Sequence, residues 1–337
     1  MLCDKLPRAK LTYLPTPLEE APRLSAALGG ARIWIKRDDR TGLTFGGNKP
    51  RIFEYVLGDA LAQGCDLTIT PAGPQSNHLR EVTAAANRLG MKSVLVICGT
   101  DGSGPAQGNS LLFRLLGAEI HTFPDWDLDA YYGPELMAFV EELAETYRER
   151  GYKPYHVHFG LRAGLLGCAA HVTAAEELAA QFAALGMEPD FLYVPTGSGV
   201  TTSGYVLGFK HLGLRTRVVG VGLIYSEREA VREVVRFANL TAEELGLDTR
   251  VEPGDFAMLD VHDRPGYGIV TPEVIEAVRL CAVHEGILLD PVYNGRAMAA
   301  LIEEVRHGRL GQDRTAVLVH TGGVPALFAQ NEALMAE

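Results

Sequence analysis

A lysine in a glycine-rich segment is the strongest sign of chemistry in this sequence. Lys49 lies in TFGGNKPR (residues 44–51), between a glycine pair and a proline. Because glycine permits a tight backbone course, we expect this lysine to be held in a constrained position and not on the open face of a helix. A lysine with a depressed pKa forms Schiff bases with carbonyl compounds. The motif predicts a reactive lysine on a turn, and an ordinary surface lysine on a turn is the alternative.

A second motif suits the binding of a phosphate group. TGSGVT (residues 196–201) stands between a predicted strand and a predicted helix, where backbone N–H groups and the helix dipole favour an anion. It is neither a Walker loop nor the full G-x-G-x-x-G of a dinucleotide fold, and an ordinary strand-to-helix turn is the alternative. A Schiff-base lysine and a phosphate site together suggest the aldehyde cofactor pyridoxal 5'-phosphate.

Short β-branched segments alternate with alanine-rich helical segments, which is typical of βα units around parallel sheets. Strands are predicted at LTIT (67–70), SVLVIC (93–98), EIHTF (119–123), FLYVPT (191–196), VVGVGL (218–223) and TAVLVH (315–320). Helices are predicted at HLREVTAAANRLG, NSLLFRLLG, PELMAFVEELAETYRERG, HVTAAEELAAQFAALG and VLGFKHLG. Open α/β sheets bind ligands beyond the carboxyl ends of their strands. We therefore expect the polar segments PAGPQSNH, GSGVTTSG and TGG, which follow three of these strands, to surround the site.

Composition narrows the classes of partner. The 337 residues are 47% hydrophobic and 22% charged, enough to form two domains or lobes. The formal net charge of −11 opposes binding to nucleic acid or to an anionic membrane. No segment is apolar over the length that spans a bilayer, and no signal peptide is recognised. A small-molecule partner and a cytoplasmic location are therefore expected.

Cysteines, histidines and one acidic segment suggest no further site. The five cysteines are scattered without a CxxC pair, and the histidines follow no ligand spacing, so neither disulfides nor a metal site is predicted. The acidic aromatic segment PDWDLDAYYG (residues 124–133) is predicted to be a solvated loop, with an active-site lid as the alternative.

Six motifs resemble, in order, those of the D-cysteine desulfhydrase and 1-aminocyclopropane-1-carboxylate deaminase family of pyridoxal-phosphate enzymes. They cover almost the whole chain and read IKRDDRTGLTFGGNKPR, PAGPQSNHLREVTAAANRLG, VPTGSGVTTSG, PGYGIVTPE, EGILLDPVYNGRAMAALI and VLVHTGGVPALF. The resemblance implies an α/β protein of the tryptophan-synthase-β-like type (fold type II), with two open, twisted, mostly parallel sheets flanked by helices. It also implies a large cofactor-binding domain (residues 1–50 and 161–337), a small domain carrying QSNH (residues 51–160), and a homodimer.

The resemblance assigns roles to the lysine and to the QSNH segment. Lys49 would hold the cofactor aldehyde and then move the α-proton of the substrate. Asn77 resembles the asparagine that hydrogen-bonds the phenolic oxygen of the cofactor. Gln75 and Ser76 resemble the group that holds the substrate carboxylate, and His78 completes this substrate loop as is common in the desulfhydrase branch. For Ser76, a simple helix N-cap is the alternative.

The resemblance also assigns the remaining site residues. Thr321 resembles the hydroxyl residue near the pyridine nitrogen, and such a neutral partner favours elimination over transamination. Tyr293 and Tyr267 resemble two tyrosines that face the substrate, with Tyr293 as the candidate acid toward the leaving group; either is alternatively a core aromatic residue. The segment that resembles the phosphate-binding site comprises Gly197, Ser198, Gly199, Val200 and Thr201.

Three departures from the family pattern bear on the site. The deaminase branch has a glutamate directly after the tyrosine that Tyr293 matches; Asn294 stands there, which counts against ring opening of aminocyclopropane carboxylate. A family lysine that helps to hold the phosphate is replaced by Ile52, so either Arg51 or the loop alone would supply that function. Arg162 replaces a small polar residue, and is either a surface charge or a group that selects a second anion on the substrate.

The sequence therefore predicts a pyridoxal-phosphate-dependent lyase that acts on a small amino acid. It would catalyse α,β-elimination of a β-substituent such as a thiol and release a keto acid and ammonia, as D-cysteine desulfhydrase does. Three alternatives remain open: a 1-aminocyclopropane-1-carboxylate deaminase, a lyase for a sulfonated or hydroxylated amino acid, and a ligand-binding homologue that has lost catalysis.

Overall fold

The computed structural model describes residues 2–100, 106–124, 133–157, 160–261 and 266–335. Within these ranges the strands are β1 (Leu18–Glu20), β2 (Arg32–Lys36), β3 (Leu67–Ala72), β4 (Lys92–Cys98), β5 (Glu119–Phe123), β6 (Pro154–His156), β7 (Phe191–Thr196), β8 (Arg217–Gly222), β9 (Ala257–Asp260) and β10 (Thr315–Val319). The helices are α1 (Pro22–Leu28), α2 (Asn48–Ala62), α3 (Asn77–Arg88), α4 (Asn109–Leu115), α5 (Pro134–Glu149), α6 (Leu161–Leu185), α7 (Val200–Leu212), α8 (Glu227–Leu245), α9 (Pro272–Glu285), α10 (Asn294–Arg306), α11 (Ala326–Ala329) and α12 (Asn331–Met335).

The strands form two sheets. The larger has the order β1-β2-β10-β7-β8-β9 and the smaller the order β5-β4-β3-β6. Every pair is parallel except that of β1 with β2 at one edge. The predicted α/β fold with two mostly parallel sheets flanked by helices is confirmed. In the described ranges, no helix is long and apolar enough to cross a membrane.

The central strands are buried on both faces, which explains their continuous apolar sequences. All five residues of β10 are buried, and β10 registers with β2 on one side and β7 on the other. All six residues of β3 in the smaller sheet are buried as well. Because parallel strands end at the same edge of a sheet, the segments that follow β7, β8 and β10 lie side by side there.

The predicted turn around Lys49 is wrong, because a helix begins there. Helix α2 starts at Asn48, directly after Gly47, whose φ of 134° suits glycine. Pro50 fits in the first turn of this helix, where backbone N–H groups have no partner within the helix. Helix α6 likewise begins at Leu161, well before the segment that was predicted to be helical.

The predicted domain boundary at residue 51 falls inside helix α2. Apolar residues of α2 share one core with residues of α6 and α7, so no break in packing marks that position. The smaller sheet, from β3 to β6, nevertheless lies wholly within residues 51–160. The predicted loop at 124–133 lies, except for its two terminal residues, outside the described residues.

Candidate active site

The start of helix α2 is fixed against the end of strand β10. Gly47 and Gly322 form an antiparallel bridge, and the N–H of Asn48 donates to the carbonyl of Thr321 at 3.1 Å. A Cβ on Gly47 would lie 2.6 Å from that carbonyl oxygen, so no larger residue allows this approach. The Thr41 hydroxyl also donates to the Gly47 carbonyl at 2.7 Å. The glycine pair therefore serves to bring two backbones together, and Lys49 is carried to the strand ends.

Lys49 lies in the first turn of α2 and lines a pocket at the carboxyl ends of β7 and β10. Burial lowers the pKa of its amine to about 8. At neutral pH roughly a tenth of the molecules would carry the uncharged, nucleophilic amine, far more than for an ordinary lysine. The predicted reactive lysine thus has the electrostatic surroundings that such chemistry requires.

The predicted phosphate-binding segment connects β7 to α7. Gly199 precedes α7 with φ 85°, and the helix begins at Val200. Backbone N–H groups in the first turn of a helix have no partner inside it, and this turn lines the same pocket as Lys49. The side chain of Asn48 donates to the hydroxyl of Thr201 at 2.8 Å. The starts of α2 and α7 are therefore joined directly.

The QSNH segment reaches the pocket from the smaller sheet. Ser76 accepts a long hydrogen bond of 3.4 Å from the N–H of Leu79 as the N-cap of α3, and it also lines the pocket. Ser76 therefore acts as the N-cap of α3 and is a residue of the pocket as well. His78 lines the pocket too, with its ring centroid 4.9 Å from that of Phe53. Burial, together with the charge of Lys49, holds the pKa of His78 well below its ordinary value, so this imidazole is neutral.

Thr321 is oriented by the residue that departs from the deaminase pattern. Its N–H and its hydroxyl donate to Oδ1 of Asn294 at 2.8 and 3.2 Å. The Asn294 amide in turn donates to Asp290 at 2.5 Å and to the Gly322 carbonyl at 2.7 Å. Both Asn294 and Asp290 are fully buried. The position after Tyr293 thus presents a neutral amide whose orientation is fixed.

The two predicted tyrosines form a pair. Their hydroxyl oxygens are 2.5 Å apart, and their rings meet edge to face with centroids 5.9 Å apart. Tyr293 lines the pocket of Lys49, and it also lines an adjoining pocket together with Tyr267 and Gln75. The two pockets share Ser76 and Asn77 as well. The tyrosine pair therefore stands where the lysine pocket opens into a second chamber.

The structure brings most of the predicted site residues together. The pocket is lined by Lys49, Ser76, Asn77, His78, Gly197, Ser198, Gly199, Val200, Thr201, Tyr293 and Thr321. It is also lined by Asn48 and Thr202, which lie within the quoted segments TFGGNKPR and GSGVTTSG but received no role of their own. The sequence interpretation missed Ile224 and Tyr225, which line it as well. Ile224 and Tyr225 follow the carboxyl end of β8, so the rule that located the other segments could have located them.

Arg162 does not join the site, and its prediction as a substrate-binding residue is corrected. It is not among the described residues that line either pocket. Its guanidinium, which is 45% exposed, forms ion pairs with Asp59 at 2.7 Å and Glu244 at 2.8 Å. Because these two carboxylates already engage it, the surface-charge alternative describes Arg162.

Arg51 does not take the place of the missing phosphate-binding lysine. It is 2% exposed, and its guanidinium pairs with Asp38 at 2.8 Å and with Glu177 at 2.9 Å. It is not among the residues that line the pocket. Of the two alternatives, the backbone and hydroxyl groups of residues 197–201 are left to bind a phosphate.

The pocket fits pyridoxal 5'-phosphate in the chemistry of its groups. It combines an amine of lowered pKa with the N-terminal turn of α7 and its hydroxyl side chains. Gly197 leaves room on one wall, since a Cβ there would lie 3.2 Å from Ile224 and 3.7 Å from the Tyr293 ring. The amine suits the aldehyde, the start of α7 suits the phosphate, and the space beside Gly197 suits the flat aromatic ring.

Comparisons with known proteins agree with this site. Residues 9–322 match the family model "Pyridoxal-phosphate dependent enzyme". The chain is 38% identical to the 1-aminocyclopropane-1-carboxylate deaminase of Burkholderia ambifaria (strain MC40-6) over 339 residues, 98% of each protein. It is also 38% identical to the enzyme of that name from Burkholderia cenocepacia over 338 residues, again 98% of each. A crystal structure of an ACC deaminase homologue superposes with a TM-score of 0.86 and 34% identity, over 99% of this chain and 97% of that one.

Proposed function

The chain belongs to the pyridoxal-phosphate dependent enzyme family, and on that premise we propose that it deaminates a small amino acid with an uncharged side chain. The reaction would remove a β-substituent such as the thiol of D-cysteine and release a keto acid and ammonia. Pyridoxal phosphate, when bound, withdraws the negative charge that develops at the α-carbon of the substrate. The protein must bind both molecules, orient them and move the protons.

Lys49 would carry the cofactor and later act as the base. Its amine has a pKa lowered to about 8 by burial, so a nucleophilic fraction is present near neutral pH. Once released from the cofactor, Nζ of Lys49 would be a base within the same pocket and would accept the α-proton of the substrate. The short link from Asn48 to Thr201 supports this role, because it keeps the lysine close to the phosphate-binding turn.

The other residues would position the two ligands. The segment of residues 197–201 would bind the phosphate through backbone N–H groups and hydroxyls. Ser76 and the N-terminus of α3, with Gln75 and His78 beside them, would bind the substrate carboxylate. Thr321 would face the pyridine nitrogen through its hydroxyl.

The tyrosine pair would act on the leaving group. Each hydroxyl is within hydrogen-bond distance of the other, at 2.5 Å, so a proton that leaves one tyrosine can be replaced from its neighbour. Tyr293 would donate the proton, since it lines both pockets, and Tyr267 would resupply it.

The lining of the two pockets argues for a substrate whose side chain is uncharged. Among the described residues that line them, Lys49 is the one Lys, Arg, Asp or Glu. The adjoining chamber also contains Val292, Ala326 and Ala329. A second anionic group on the substrate would find no cation here, because Arg162 is engaged elsewhere. A sulfonated substrate is therefore not proposed.

Asn294 is the observation that favours a thiol substrate over a cyclopropane. It puts a neutral amide, fixed by Asp290, behind Thr321 where the deaminase branch has a glutamate. A carboxylate there would keep the pyridine nitrogen protonated, whereas an amide does not. The second candidate is 1-aminocyclopropane-1-carboxylate deaminase, and the names of the Burkholderia relatives favour it.

A substrate panel separates the two candidates. The cofactor-loaded protein is incubated with D- and L-cysteine, D- and L-serine, cysteate and 1-aminocyclopropane-1-carboxylate, and the release of keto acid is measured for each. We expect D-cysteine to give the highest kcat/KM and cysteate to give no product. Product from aminocyclopropane carboxylate alone would select the second candidate and show that Asn294 does not decide the substrate.

The division into a large domain (residues 1–50 and 161–337) and a small domain (residues 51–160) remains a proposal, as does the homodimer. The family resemblance supports both. The confinement of the smaller sheet to residues 51–160 supports the first.

A further inference from the structure

Asn77 has an amide whose orientation is set by two donors. Its Oδ1 accepts a hydrogen bond from a guanidinium nitrogen of Arg80 at 2.8 Å and another from the side-chain amide of Asn109 at 2.9 Å. An amide oxygen held by two donors cannot exchange places with the amide nitrogen without losing both bonds. The Nδ2 group therefore faces away from Arg80. It lies beside Gly323, just past the end of β10, where a Cβ on that glycine would be 3.0 Å from it.

Arg80 connects Asn77 to the segment that precedes Lys49. Its side chain is fully buried and donates to the carbonyl of Gly46 at 3.4 Å and to the hydroxyl of Thr44 at 3.1 Å. Glu81, also fully buried, neutralises it at 2.7 Å. The planar guanidinium of Arg80 contacts the Gly46 carbonyl, the Thr44 hydroxyl and the Glu81 carboxylate simultaneously, which the ammonium group of a lysine cannot do. One residue of α3 therefore contacts both Asn77 and Gly46, just before the start of α2.

Asn109 holds the same loop from helix α4. It is fully buried, and its backbone N–H donates to the side chain of Gln75 at 3.0 Å. Its side-chain amide donates to the backbone carbonyl of Gln75 at 2.8 Å as well as to Asn77, and its oxygen accepts from Arg80 at 2.7 Å. All hydrogen-bonding groups of this side chain are thus used to connect the loop and Arg80.

We propose that Arg80 and Asn109 are positioning residues, which fix the Asn77 amide with its N–H toward the phenolic oxygen of the cofactor. The inference rests on the proposed function, with Asn77 in the role that the family resemblance assigns to it, as the hydrogen-bond donor to that oxygen. An N–H donated to the phenolate withdraws part of its negative charge. The negative charge of the phenolate stabilises the proton on the neighbouring C=N link to Lys49. A hydrogen-bond donor to the phenolate reduces this stabilisation, so it lowers the pKa of the link. If the amide turns or moves, the pKa of the link rises.

The test is the pH titration of the visible absorption band of the cofactor-loaded protein without substrate. In Asn77→Ala we expect the midpoint to rise by roughly one to two pH units, the effect of losing one hydrogen bond to a charged group. Asn109→Ala and Arg80→Lys should raise it in the same direction. Arg80→Lys keeps the positive charge beside Glu81. A shift of the midpoint in this variant is therefore caused by loss of the guanidinium N–H donors and not by loss of a charge. Asn109→Ala carries the test where Arg80→Lys does not yield folded protein.

Asn87→Ala is the matched control. Asn87 is an exposed residue of α3 whose amide donates to the Leu116 carbonyl just past α4, at 2.7 Å, so it links the same two helices at a distance from Asn77. We expect its midpoint to equal that of the unmodified protein.

Two results would overturn the inference. The first is a raised midpoint in Asn77→Ala while Asn109→Ala and Arg80→Lys titrate like the protein without substitutions. This would show that Asn77 needs no positioning, and the proposed function would stand. The second is a midpoint in Asn77→Ala equal to that of the protein without substitutions, which would show that the Asn77 amide does not bind the phenolic oxygen. Failure of the proposed function is seen separately, as the absence of keto acid from every substrate of the panel.

Discussion

Two cations that stand two residues apart on helix α2 have opposite surroundings. Burial, which alone would lower the pKa of Arg51, is outweighed by Asp38 and Glu177, and the pKa lies above its ordinary value. For Lys49, burial is the cause of the shift, and it lowers the pKa to about 8. One helical turn therefore carries a permanent charge on one side and an amine that is partly neutral on the other.

The difference lies in where the carboxylates are. Asp38 and Glu177 lie on the Arg51 side of α2, together with Lys36, whose ammonium donates to Glu177 at 2.5 Å. This group of two cations and two carboxylates is nearly closed to water, and its charges balance. A buried network of this kind depends on each of its members. The comparison indicates that the helix start is held by the Arg51 network, so that the Lys49 side can be used for chemistry.

The largest expected effect is from Lys49→Ala. Without the amine, we expect the visible band of the loaded protein to vanish and turnover to fall by at least about a thousandfold, because both the covalent link and the base are lost. Keto acid release and the absorption spectrum measure this. Lys210→Ala, which removes a surface ion pair with Asp255, should leave both unchanged. Substantial turnover in Lys49→Ala would contradict the role of this lysine.

The next effect is on stability. Arg51→Met leaves Asp38 and Glu177 without their main partner, and removal of one member of a buried ion pair costs about 3–5 kcal/mol of the free energy of unfolding. Denaturant unfolding measures it. The matched control is Arg215→Met, since Arg215 is 87% exposed in its ion pair with Glu188, and a change below about 0.5 kcal/mol is expected there. Equal effects in the two variants would show that the network does not hold the helix start.

A smaller loss of stability is expected from Glu177→Gln. The amide keeps the shape but leaves Asp38 as the carboxylate shared by Lys36 and Arg51, so we expect a loss of about 1–3 kcal/mol in the free energy of unfolding. Because Glu177 acts on the Arg51 side, the loaded protein should keep its visible band at full amplitude. A lost band with unchanged stability would mean that the two sides of α2 are not separate.

The smallest effect concerns pH. The uncharged amine attacks the cofactor aldehyde, and the fraction of Lys49 in that form grows as pH rises through its lowered pKa of about 8. The initial rate at which cofactor-free protein takes up pyridoxal phosphate should therefore rise about tenfold between pH 7 and pH 9 and then level off. Stopped-flow absorbance follows the reaction. A rate that continues to rise toward pH about 10.4, the value for an ordinary lysine, would show that burial does not lower this pKa.

The sequence predicted the strands and loops that carry the site better than the contacts between them. Lys49 and TGSGVT could be predicted because glycines and strand exits mark them locally. The sequence could not decide between the surface-charge and the substrate-binding alternatives for Arg162, because its partner Asp59 is distant in sequence and no spacing rule connects them. The contacts of Arg80 with Gly46 and Asn109 could not be predicted for the same reason.

Short or locally unmarked elements were missed for a different reason. Strands β1, β6 and β9 have three or four residues, too few for a periodic pattern to stand out. Helix α2 was read as a turn because Gly46, Gly47 and Pro50 each suggest a break when they are considered singly. In the structure, these glycines precede the helix and the proline occupies its first turn.

Lys49 is the residue proposed to form the covalent link to the cofactor. The most direct test of that proposal is reduction of the loaded protein with borohydride, which fixes the link, followed by protease digestion and mass spectrometry of the labelled peptide. We expect a single pyridoxyl group on the peptide that contains Lys49. A label on another lysine, such as Lys36 or Lys153, or the absence of any label, would contradict it.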